Sequence, residues 1–155
     1  MGRGAWWTWA HDLGAVLWLG SVLYQLLVVA PVLAGEPPPE RRRLWLDLIG
    51  RFHHLAAGAA GLVVLSGLAR VLSLPWEPAR LPATVYGRLL LAKMAGALGM
   101  LVAGGVISLG VSRLLRRPAG SEEAAAGLRW LVVLLAMEGA CGIAVLWCVA
   151  RIHGG

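Results

Sequence analysis

Charge is scarce in this sequence. Of its 155 residues only 14% are Asp, Glu, Lys or Arg, and 59% are hydrophobic. A soluble domain carries about 25% charged residues. Too little polar chain is left over to house a soluble active site. Cysteine is scarce as well. The two present, Cys141 and Cys148, lie seven positions apart in one apolar block. On a helix they share roughly one face and sit about 10 Å apart, which is too far for a disulfide. The signatures of soluble chemistry are missing: there is no phosphate loop, no nucleophile–base pair and no basic face for nucleic acid. The net charge of +6 is therefore not read as nucleic-acid binding. The basic residues sit in short loops, where they orient a membrane protein and meet anionic lipid.

What is present is apolar sequence in four blocks. The expected fold is all-α: an integral membrane four-helix bundle in a single transmembrane domain, 1–155, with helices at roughly 5–33, 44–74, 83–115 and 121–152. The stretch from Ala10 to Pro31 carries no charge between Asp12 and Glu36, enough to cross a bilayer. Trp6, Trp7 and Trp9 precede it, as aromatics at a membrane–water interface do. A cleavable signal peptide ending at Val32-Leu33-Ala34 competes with this reading. The long apolar run and the single basic residue ahead of it, Arg3, favour a retained helix. Pro37, Pro38 and Pro39 cannot continue a helix, and Arg41, Arg42 and Arg43 belong in water. These residues set the expected start of the second helix near Leu44. Pro75, Trp76, Pro78 and Pro82 form the next breaker cluster. Glu122 and Glu123 suit the first turn of the fourth helix.

The loops also predict orientation. Eight arginines (41, 42, 43, 51, 113, 116, 117 and 129) fall on one side and five (3, 70, 80, 88 and 151) on the other. The first side is expected to be cytoplasmic, in a bacterial-type inner membrane, with both termini outside. Small residues collect at Ala56–Gly61, at Ala95, Gly96, Gly99, Ala103, Gly104 and Gly105, and at Gly139–Gly142. They allow close helix packing or leave room for a flat ligand.

Ionisable groups inside a bilayer are functional candidates. Here they are His11, Asp12, Lys93 and Glu138, with Arg51, His53 and His54 near the end of the second helix. Lys93 and Glu138 fall at similar depths and are expected to pair, either as a structural ion pair or as a proton or propionate contact. His11 is a candidate axial ligand of heme iron, since bundles place imidazoles between facing helices. His153 is on the same side and could supply a second ligand. His54 is a further candidate, beside Arg51, but from the opposite side. Copper is the alternative. Cu(I) favours thiolate, thioether and imidazole, and Met94, Met137, Cys141 and Cys148 share the outer half with His11.

The segment HDLGAVLWLGSVLYQLLVV, with His11, Trp18 and Gly20, resembles the first helix of the HemJ and CopD membrane families. RFHHLAAGAAGLVVLSGLARVL, with Arg51-Phe52 and Ser66-Gly67, resembles the second helix of CopD-type domains. VYGRLLLAKM is similar to the opening of the next CopD helix, and Lys93 falls where HemJ-like proteins carry a lysine. The resemblance spans about the first 115 residues, and helix four matches no motif.

From HemJ the resemblance implies heme b at His11 and protoporphyrinogen oxidation. From CopD it implies copper handling at the inner membrane. The leading expectation is a small heme b-binding membrane protein in electron transfer or oxidase-type chemistry. Arg51 and Lys93 would meet propionates, Lys93 and Glu138 would serve the reaction, and any enzyme would be a protoporphyrinogen oxidase-like or quinol/cytochrome-type oxidoreductase. A CopD-type copper protein is the alternative, and an accessory subunit of a membrane complex the second. Expected partners are the lipid bilayer, then a quinone, cytochrome or copper protein, or a second copy of the chain.

Overall fold

The computed structural model describes residues 3–72, 82–118 and 120–154, with the side chains of residues 3, 4, 153 and 154 left out. Within these residues the chain is helical throughout and forms no strand. Four helices are long and apolar enough to cross a membrane: α1 (Ala5–Ala34), α2 (Pro38–Leu72), α3 (Val85–Leu115) and α4 (Glu122–Ile152). The all-α four-helix membrane fold expected from the apolar blocks is the fold observed. The breaker cluster of Pro75, Trp76 and Pro78 lies outside the described residues.

One boundary differs by nearly two turns. Helix α2 begins at Pro38, not near Leu44, and Arg41 N donates to Pro37 O at 2.9 Å. Prolines in a first turn cost little, because the N–H groups there have no helical partner anyway. Glu40 in that turn suits the dipole. The arginines still reach water, because a helix of 35 residues is about 52 Å long and overshoots a bilayer core of about 30 Å. The starts of α3 and α4 are capped by hydroxyls. Thr84 Oγ1 accepts from Gly87 N at 3.0 Å ahead of α3, and Ser121 Oγ accepts from Ala124 N at 3.2 Å ahead of α4.

Helix α1 packs most extensively on α2, and α3 on α4. The two hairpins join through α1 against α4, with a lighter contact between α2 and the last turns of α3. The shared core includes Trp18, Val22, Trp45, Met100, Ile107, Leu115, Leu131 and Leu135. Large apolar side chains such as Val16, Leu27, Leu65, Leu98 and Ile143 point outward, the expected pattern where the surroundings are lipid. At the end carrying both termini, Trp6 stacks on Trp9 at 5.1 Å, and the Arg151 guanidinium lies 5.1 Å from the Trp147 ring centroid. Trp130 is exposed towards the opposite, arginine-rich end.

Two helices contain a π-helical turn, Gln25–Val29 in α1 and Val106–Val111 in α3. Near both, side chains bond carbonyls one turn back. Gln25 Nε2 donates to Ser21 O at 3.3 Å, and Ser112 Oγ to Ser108 O at 2.6 Å. Such bonds compete with the helical ladder.

Candidate intramembrane polar site

His11 turns inward, against α2. Its Nδ1 lies 3.1 Å from Val63 O and 3.1 Å from Ser66 Oγ. Ser66 is completely buried, and its single hydroxyl proton is directed at the carbonyls of Leu62 and Val63. A serine oxygen used in that way can only accept from the imidazole, and a carbonyl can only accept. Nδ1 therefore carries a proton, and in the neutral ring Nε2 keeps a lone pair. Gly67 makes the space: a Cβ there would stand 3.3 Å from His11 Cε1. The Ser66-Gly67 pair is thus the seat of the His11 ring.

The same layer gathers charge from three helices and a thiol from the fourth. Lys93 of α3 is half-buried within electrostatic reach of Arg70 (α2), Asp12 (α1) and the Cys148 thiol (α4). His11 lies in the field of Lys93, Arg70 and Asp12.

Deeper in the bundle Glu138 is buried, and Trp18 Nε1 donates to its Oε1 at 2.9 Å. Gly104 faces the carboxylate, with its Cβ position 3.4 Å from Oε1. The pairing of Glu138 with Lys93 expected from depth is not made. The only ion pair among the described residues joins Arg43 to Glu40 at 3.9 Å. Glu138 lies opposite Gly104, and Lys93 is eleven positions earlier on α3, about 16 Å along the axis.

Helices α3 and α4 face each other with matched spacing. Cys148 is buried and Cys141 half-buried on one face of α4, while Met100 is buried on α3, seven residues after Lys93. Cys141 Sγ would lie 3.2 Å from a Cβ at Gly99. Cys141 therefore looks onto the Gly99–Met100 stretch of α3, and the buried Cys148 lies within electrostatic reach of Lys93, also on α3. Met94 and Met137, candidates by depth, are 49% and 45% exposed and point away. Met100 was missed in reading the sequence. The signal was available, since Lys93 to Met100 repeats the heptad step of Cys141 to Cys148.

His54 and Arg51 are exposed towards the arginine-rich end, and the structure does not bring them to His11. His53 Nδ1 lies 3.1 Å from Ser108 Oγ, and its ring meets His54 edge-on at 5.5 Å. The His153 side chain lies outside the described residues. Among those described, no group of three or more His, Cys, Asp or Glu is gathered as a metal centre. Part of the small-residue sequence is spent on close packing, while Gly58, Gly61 and Gly105 have nothing within 4 Å of a Cβ position. Cβ positions at Gly14, Gly96, Gly139 and Gly142 fall against Val63, Val145, Leu23 and Leu19 of neighbouring helices. A porphyrin at His11 would need such faces apart.

The fold and this interior polar layer define a multi-pass helical membrane protein. Over residues 46–152 the chain matches copper resistance protein D, and it belongs to that family. The match takes in α4, which the motifs had left unassigned, and begins inside α2, so that α1 with His11 precedes it. No curated protein and no solved structure gave a match.

Proposed function

We propose that this protein handles cuprous copper within the membrane, with the interior sulfurs of α4 as its binding groups. The observation that carries this reading is the placement of two thiols on one face of α4: Cys141 Sγ lies against Gly99 of α3, next to the buried Met100, and the buried Cys148 lies within electrostatic reach of Lys93, also on α3. Thiolate, thioether and imidazole are the donors Cu(I) prefers, and family membership points to the same metal. His11, steadied through Nδ1 by Val63 and Ser66, lies in the field of Lys93, as Cys148 does from α4. Outer partners of this kind orient a ligating imidazole. Lys93, Arg70 and Asp12 surround this end of the column, and Glu138 with Trp18 closes the other. By the arginine distribution the column opens away from the cytoplasm.

Anaerobic titration of the purified protein with Cu(I), against a chromophoric chelator, tests the reading. The wild type should hold Cu(I), and Cys141→Ser with Cys148→Ser should release it while the helical circular dichroism stays unchanged. Cu(I) lost equally to the chelator by both proteins would overturn it. A second reading, heme b on His11 with electron transfer to a quinone or cytochrome, has the free Nε2 in its favour. A Soret band after expression with ample heme, lost in His11→Gln, is its signature.

A further inference from the structure

An apolar groove of about 470 Å³ runs between the lower halves of α3 and α4, open to the side, lined by Val106, Gly110, Val111, Leu114, Trp130 and Leu134. The π turn Val106–Val111 supplies half of that lining, and such turns recur at functional sites. Val106 and Trp130 are about half exposed, so the groove faces the surroundings of the bundle. Exposed tryptophans settle at the headgroup level, which places the groove beneath the interface.

Charge at its mouth is mostly positive. Arg113 adjoins Leu114, and Arg116 and Arg117 follow within one turn; all three are exposed. None of them forms an ion pair among the described residues, and Glu40 is already taken by Arg43. Glu122 and Glu123, both exposed, stand in the first turn of α4 at the same end. Arg42 is engaged elsewhere, on the carbonyls of Leu115 and Arg117.

We propose that this groove is a site for one anionic phospholipid, with an acyl chain along the apolar lining and the phosphate held by Arg113 and Arg117. An apolar slot under a cluster of unpaired guanidiniums matches the two halves of such a molecule. Arginine binds phosphate through a planar fork of donors. The proposal does not depend on copper.

Native mass spectrometry of the delipidated protein, titrated with phosphatidylglycerol and with phosphatidylcholine, tests it. Phosphatidylglycerol should add once, tightly, and ahead of phosphatidylcholine. Arg113→Gln with Arg117→Gln should weaken that adduct roughly 25-fold, given about fivefold per arginine near a charged lipid surface. Gly110→Trp should fill the groove and remove it. A Cβ at Gly110 meets only Val106 Cγ1, at an ordinary 3.7 Å, so that variant has room to fold. Equal binding of the two lipids would overturn the headgroup assignment. A phosphatidylglycerol adduct that survives Gly110→Trp would overturn the site.

Discussion

Trp18 of the first helix and Glu138 of the fourth meet inside the bundle, indole to carboxylate at 2.9 Å, with 5% and 3% of their surfaces exposed. This bond ties the two hairpins where their contact is thinner than within either pair. Within the His–Trp–Gly pattern, Trp18 thus contributes its N–H as well as its bulk. Trp18→Phe should therefore cost about 1–2 kcal/mol, because the carboxylate loses the indole donor in a place water does not reach. Glu138→Gln keeps an acceptor for the indole and should cost less. Reversible unfolding in mixed detergent micelles, compared across the two variants and their double, measures the coupling.

The glycines of α1 separate close packing from open surface. A Cβ at Gly14 would stand 2.9 Å from Val63 Cγ2 and 3.0 Å from the Ala59 carbonyl. The carbonyl cannot move without its helix. Gly14→Ala should push α1 off α2 and lower stability by about 1–3 kcal/mol. Gly20 has nothing within 4 Å, and Gly20→Ala should leave stability unchanged or raise it by up to about 1 kcal/mol through helix propensity. The same unfolding assay should rank the pair in that order.

These residues mark what sequence could and could not show. The four spans were legible because apolar length alone distinguishes a bilayer-crossing helix. The start of α2 is hidden in the sequence because proline, a breaker inside a helix, is tolerated in a first turn. Depth along a helix was legible too, but pairing across helices was not. Lys93 and Glu138 seemed level from helix ends, whereas the interlock of Gly96, Gly99 and Gly104 with α4 sets the true register. The inward turn of His11 was expected, but its seat on Ser66 and Gly67 depends on how α1 and α2 slide together. The π turns have no period in the sequence and were not foreseen.

Ser66 offers a test of the copper reading that leaves every proposed ligand in place. Its oxygen and the Val63 carbonyl hold the His11 Nδ1–H, so Ser66→Ala removes one of two restraints on the ring. If His11 ligates copper, Ser66→Ala should lower Cu(I) affinity about 10- to 100-fold, the usual loss when an outer partner of a ligating imidazole is removed. His11→Gln should lower it at least as far. Chelator competition gives both values. An unchanged affinity in both variants would confine copper to the sulfurs and leave His11 a packing role.

At the arginine-rich end, Arg42 holds the last turn of α3. Its Nη1 donates to Leu115 O at 3.0 Å and to the Arg117 carbonyl. A helix end leaves carbonyls without helical donors, and here a guanidinium from the neighbouring helix supplies the missing donor while fastening α2 to α3, where direct packing is light. Arg42→Gln shortens the reach, and the carbonyls lose a charged donor. The expected cost is about 1–2 kcal/mol, concentrated locally. Arg42→Lys should recover only part of it, because a point charge on a flexible stem lacks the rigid fork of a guanidinium. Hydrogen exchange of the Arg116 and Arg117 amides, which bond back to Ser112, Arg113 and Leu114, should quicken in Arg42→Gln while amides in the middle of α3 hold their protection. Uniform loss of protection along α3 would mean that Arg42 anchors the whole helix, and no change would mean that water caps the carbonyls equally well.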